Sequence, residues 1–134
     1  MQKSFVISTT KKHQIIDISK EIEKIVKESK VKDGLCVLYT QHATCAIIIN
    51  ENYDKAVQED ILNKLNGLIP DNAGYKHDRI DNNAAAHIKA AIIGPSESIP
   101  IKNGELQLGT WQSPALIEFD GPRSDRTIVV EILC

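Results

Sequence analysis

Three of the four histidines in the chain, His42, His77 and His87, stand in polar or acidic company. His42 closes the run Tyr39-Thr40-Gln41-His42, His77 opens His77-Asp78-Arg79, and His87 rides the shoulder of an alanine-rich helical stretch. Three neutral imidazoles with one carboxylate, Glu51 or Asp54, make a credible ligand set for a divalent transition metal such as Zn²⁺. A metal held this way would bring the pKa of a bound water toward neutrality. Spacing alone is a weak signal, because no HExxH or similar close pair exists. Each histidine by itself reads as a hydrogen-bonded loop or helix residue; the three together read as a shared site. His13, beside two lysines, lacks such company and stays outside the set.

The acids concentrate where buried elements end. An apolar strand, Cys45 to Ile49, stops at Asn50-Glu51-Asn52, and the helix that follows starts with Asp54 and carries Asp60. At ~100° per residue, Asp54 projects in nearly the same direction as Ile61 and Leu65. It reads either as a helix-start carboxylate satisfied by amide hydrogens or as an acid aimed at a ligand. Asp60 sits at the shoulder of the apolar stripe, where plain exposure is the simpler reading. A long irregular segment, 67–82, includes Asp78 and could wall a pocket. Trp111 lies between Gly109-Thr110 and Gln112, a composition that suggests close backbone approach and a polar lining beside an indole. Arg123 and Arg126, with the amides around Gly121, could meet a phosphate; a charged turn facing water is the alternative. Cys45 opens a buried strand, so its thiol is expected to be inert. GxSxG, GxGxxG and GxxxxGK[ST] are all absent, which removes the commonest hydrolase, dinucleotide and nucleoside-triphosphate signatures.

Positioning these groups takes a strand-rich frame. Strands are expected over 3–9, 35–39, 45–49, 98–102, 105–108, 113–119 and 127–133, and Asn103-Gly104 is the strongest hairpin signal. Helices are expected from about 17 to 31, with Ile18, Ile22, Ile25 and Val26 on one stripe, from 53 to 66, and from 83 to 93 with Ala84, Ile88, Ala91 and Ile92 inward. Glu23 and Lys27 stand in the favourable order on the wet face of the first helix. Gly34 is expected to take a left-handed position after it. The helices come early and break βαβ order, so the fold class is α+β in one domain, 1–134. With 134 residues, formal net charge -2 and a pI near 6.1, the chain lacks the basic excess of a nucleic-acid binder. No run approaches membrane-spanning length, and three cysteines without CxxC spacing fit a reduced, cytoplasmic setting.

Several separated blocks resemble one family: QHATCAIIINENYD (41–54), PDNAGYKHD (70–78), NNAAAHIKA (82–90), NGELQLGTWQ (103–112) and EFDGPR (118–123). They are similar to the YjbQ-like family, also called uncharacterised protein family 0047 or the secondary thiamine-phosphate synthase enzyme family. The resemblance implies an α+β domain with a mixed β-sandwich and flanking helices, assembled as a homotrimer with pockets near subunit boundaries. It also implies an enzyme acting on a phosphorylated small molecule, with a secondary thiamine-phosphate synthase activity. The site it implies has metal ligands His42, His77 and His87 and acids at Glu51, Asp54, Asp60 and Asp78; substrate contacts are expected at Asn50, Trp111, Gln112 and Arg123. Three imidazoles favour Zn²⁺, and Mg²⁺ suits them less. The alternative is a non-catalytic homotrimeric scaffold that binds small anions.

Overall fold

Alternating apolar and polar residues along the last strand put Ile128, Val130 and Ile132 on one buried face, and the main core is assembled against that face. In the computed structural model, which describes residues 1–134, the elements are β1 (Gln2–Ile7), β2 (Gln14–Asp17), α1 (Ser19–Ser29), β3 (Gly34–Thr40), β4 (Cys45–Asn50) and α2 (Lys55–Leu68). A 3-10 turn (Lys76–Arg79), α3 (Ala84–Ile93), β5 (Ser96–Lys102), β6 (Glu105–Leu106), β7 (Ser113–Glu118) and β8 (Arg126–Leu133) complete the chain. Two antiparallel sheets form, one ordered β1-β8-β3-β5-β6 and the other β2-β7-β4. The expected α+β class is the one observed, and β8 is an interior strand, paired with β1 on one side and β3 on the other.

The main core fills the space between the sheets and under α1. Ile22, Ile25 and Val26 of α1 meet Leu38 of β3, Ile47 of β4, Leu116 of β7 and Val130 of β8. Full burial of each such side chain contributes about 1.5–3 kcal/mol. A second cluster covers the far face of the smaller sheet, where Ala86 and Ala90 of α3 lie on Ala46, Ile117 and Phe119. The alanines let α3 come close, as expected, but Ile92 points to solvent and the buried polar position is Lys89. No residue of α2 is fully buried; Ile61, Leu62 and Leu65 only lean on this cluster.

Three local expectations change. The left-handed position after α1 belongs to Lys30 (φ 58°), not to Gly34. Gly34 instead lies in β3, where a Cβ would run into the carbonyl oxygen of Leu133. The second helix begins later and runs further than expected, at Lys55–Leu68. Within 67–82, the stretch Lys76–Arg79 forms a 3-10 turn rather than irregular chain.

Candidate functional site

His77 and His87 are brought together by a chain of hydrogen bonds around the start of α3. Asp78 Oδ1 accepts the amide hydrogen of Ala84 at 2.9 Å, so this acid caps α3 from the turn that precedes it. Asn83 Nδ2 donates to Asp120 Oδ2 at 2.9 Å, which ties the same helix start to the end of β7. Held this way, the two rings meet edge to face, with centroids 4.8 Å apart and an interplanar angle of 79°. His77 Nε2 is buried and has no hydrogen-bond partner. The nearest carboxylate oxygen recorded for it is Asp81 Oδ2 at 3.9 Å, too long for a hydrogen bond.

His42 is committed elsewhere. Its Nε2 accepts the backbone N–H of Thr127 at 2.9 Å, so in the neutral ring the proton must reside on Nδ1. Neither nitrogen then keeps a free lone pair. No group of three His, Cys, Asp or Glu side chains within the chain is placed to hold a metal ion. The expected triple of imidazoles is therefore not assembled within the chain; a pair is.

The other expected residues are scattered over several places. Asn50 and Asp60 line one cavity of about 600 Å³ between β4 and α2, whose walls include Ile48, Ile61 and Ile93. Asn50 Oδ1 also accepts the amide hydrogen of Glu51 at 2.7 Å, while no hydrogen bond or ion pair engages the Glu51 carboxylate. Asp54 is the N-cap of α2, its Oδ1 accepting from the Ala56 amide at 2.8 Å. Trp111 is 65% exposed and stands 6.5 Å, centroid to centroid, from Tyr53, which is 87% exposed. Gln112 lines a separate cleft beside α1. Arg123 is folded onto Asp120, Nη2 to Oδ2 at 3.0 Å and Nε to the carbonyl at 3.0 Å, so its fork is occupied.

Residues 3–134 match the family model described as UPF0047 protein YjbQ-like. The chain belongs to this family. A UPF0047 protein of Archaeoglobus fulgidus is 46% identical over 92% of the chain and 94% of its own length. YugU of Bacillus subtilis is 37% identical over 99% of each. Among solved structures, a YbjQ-like protein from Sulfolobus solfataricus superposes with a TM-score of 0.96 at 39% identity, covering 99% of this chain and 96% of that one. The Clostridium acetobutylicum orthologue of YugU gives 0.92 at 44% identity, with 99% of each chain covered. The metal that the YjbQ resemblance implied meets a partial donor set in this chain: two imidazoles, one with a buried unsatisfied nitrogen, and no third ligand.

Two polar clusters of this YjbQ-family chain escape sequence reading. Lys89, 1% exposed, donates to Asn66 Oδ1 at 2.6 Å, lies 3.4 Å from His13 Nε2 and stands 5.1 Å over the Phe119 ring. Desolvation, and then the Lys12 charge, pull its pKa below the ordinary lysine value, while Asp71 opposes them. The other cluster joins Arg126 and Glu118 in the core with Thr9 and Thr44. The one available hint was position: Lys89 lies two residues past His87, between Ile88 and Ala90, on a helix with few other charges.

Proposed function

We propose that this YjbQ-family protein is a cytoplasmic, metal-dependent enzyme acting on small phosphorylated molecules, and that it works as a homotrimer. One observation carries the reading: the buried Nε2 of His77, without a partner, beside the ring of His87. An unsatisfied buried polar atom is destabilising by about 1–3 kcal/mol unless a ligand or ion meets it. His77 and His87 would hold a divalent ion, with Zn²⁺ fitting the imidazoles better than Mg²⁺. The remaining positions would be filled across a subunit boundary, since one chain supplies only the pair.

When bound, such an ion supplies an acidified water and polarises a phosphoryl oxygen. Glu51, whose carboxylate is free of ion pairs at the end of β4, would take up a proton as general base. Asp78 would act through its hold on the start of α3, which positions His87. Asn50 and Asp60 would present polar groups to the substrate's body in the apolar cavity. Thiamine-phosphate synthesis enters as a side activity of the same centre. Free thiols at Cys36, Cys45 and Cys134 support the reducing location, and no helix is long and apolar enough to cross a membrane.

The second reading, a non-catalytic trimeric anion-binding scaffold, is favoured by the committed lone pair of His42, which leaves no third imidazole in the chain free to hold a metal. Hydrolysis of phosphate monoesters and pyrophosphate, assayed in metal-stripped and zinc-reloaded protein, separates the two. The enzymatic reading expects activity only after reloading and its loss in both His77→Ala and His87→Ala. Full activity in the stripped protein would overturn the role of the metal, and none in either state would leave the scaffold.

A further inference from the structure

A cleft of about 650 Å³ opens between the end of α1 and the β5–β6 hairpin, at the opposite end of the larger sheet from His42. The seven residues of β3 separate the two ends by about 20 Å. Lys27, Lys30 and Lys32 line this cleft, and none of them has a carboxylate oxygen within ion-pair distance. Glu23 and Glu105 also line it and are equally unpaired, so the helical spacing of Glu23 and Lys27 does not close into a bridge. The lining charge is three cations against two anions, a net of one positive.

Two features go beyond exposed lysines at a helix end, which would be explained by the negative pole of the helix dipole alone. Lys32 lies outside α1 and is folded over the hairpin turn: its carbonyl accepts the Gly104 amide hydrogen at 2.9 Å, and its ammonium lies 3.8 Å from where a Gly104 Cβ would be. Gly104 has φ +79°, a backbone conformation that keeps this side of the turn bare. Gln112 is oriented as well. Its Oε1 accepts the Gly109 amide hydrogen at 2.8 Å, which leaves the NH₂ end as the group free to donate. Below these donors the floor is apolar, formed by Val26, Val31, Leu106 and Leu108.

We propose that this cleft is a second ligand site that binds a small organic phosphate, with the phosphate on Lys30, Lys32 and the Gln112 amide and the apolar body on the floor. The volume suits such a molecule, since small-molecule sites run about 300–1,000 Å³. Glu23 and Glu105 keep the cleft from being a general sink for anions and favour a ligand that also carries a donor group. The site is independent of the imidazole pair and of the reaction assigned to it.

Phenyl phosphate serves as the probe, titrated into the whole protein by calorimetry and followed by amide chemical shifts. Binding is expected at low ionic strength, weakening as salt rises. A Lys30→Gln/Lys32→Gln variant should bind at least about tenfold more weakly, the equivalent of one charge-assisted hydrogen bond. Gln112→Glu keeps an oxygen for the Gly109 amide but opposes the anion, and should weaken binding in the same direction. Glu105→Gln should tighten it, and His77→Ala should leave the shifts of the cleft amides at 30–32 and 103–112 unchanged. The four cleft side chains are at the surface, and an unchanged thermal midpoint will show that each variant is folded. Equal affinity in wild type and the double-lysine variant overturns the proposal, as does the absence of binding at millimolar probe.

Discussion

Arg126 and Glu118 face each other in the core, 4% and 0% exposed, as a forked pair: Nε donates to both carboxylate oxygens, at 2.9 and 3.1 Å. The pair is fully dressed. Nη2 also donates to Thr44 Oγ1 at 2.8 Å, and the carboxylate accepts from Thr9 Oγ1 at 2.8 Å and from the Phe119 and Asp120 amides. Burial by itself pulls the guanidinium pKa down, and the hydrogen bonds and charge of Glu118 more than reverse that. Replacing one member leaves the other charged and unpaired, so Glu118→Leu should lower stability by about 3–5 kcal/mol. Glu118→Leu with Arg126→Met should lose much less. Denaturant unfolding of the three proteins checks this; equal losses in the single and double variants would contradict it.

Gly34→Ala should be destabilising by about 1–3 kcal/mol, because the new methyl collides with the Leu133 carbonyl oxygen, a backbone atom that cannot swing aside. Gly67→Ala, with open space around its Cβ, is the matched control and should differ little from wild type. Thermal unfolding compares them.

Asp54→Ala removes the cap of α2 and should be destabilising by about 0.5–2 kcal/mol, and Asp54→Ser, which keeps an acceptor oxygen, should recover most of the loss. If Asp54 only caps, activity in both variants follows the folded fraction. A loss of turnover in folded Asp54→Ser would give this acid a chemical role.

His13 sets a pH window for stability. Burial, then the charges of Lys89 and Lys12, hold its pKa below its ordinary 6.5, against the opposing pull of Asp71 and Glu118. Below about 6.5 the unfolded chain then binds the proton more readily than the folded one. Its contribution is complete above 6.5 and is lost as pH falls toward the depressed folded value. His13→Gln should therefore narrow its stability gap to wild type as pH is lowered through this window, read from unfolding midpoints at successive pH values. A gap that stays constant would mean that His13 does not titrate against this cluster.

Much of the frame was legible because it rests on local signals. Asn103-Gly104 announced the hairpin, the two residues having φ 54° and 79° as a tight turn requires. Asp54 announced its cap, and Ile22, Ile25 and Val26 their buried stripe. What stayed hidden depends on partners remote in sequence. Whether His42 keeps a lone pair is decided by Thr127, 85 residues away. Arg126 follows the turn-like Gly121-Pro122-Arg123-Ser124-Asp125 and reads as loop, yet it opens β8 and is buried by Glu118. Lys89 was masked by alanines, which give α3 little sense of inside and outside, so only the tertiary meeting with Asn66 and Phe119 reveals the buried ammonium. β2 had no distinct signal because it is four residues long and takes its pairing from β7.

The most direct measurement is the zinc content of untagged protein, reloaded with zinc, dialysed exhaustively and sized by native mass spectrometry. Zinc retained in stoichiometric amount by a trimer, and lost in both His77→Ala and His87→Ala while His42→Ala stays folded, is the expected result. Zinc that fails to stay on the wild type, or that stays equally on the His77→Ala/His87→Ala double variant, would contradict the imidazole pair as the centre of function.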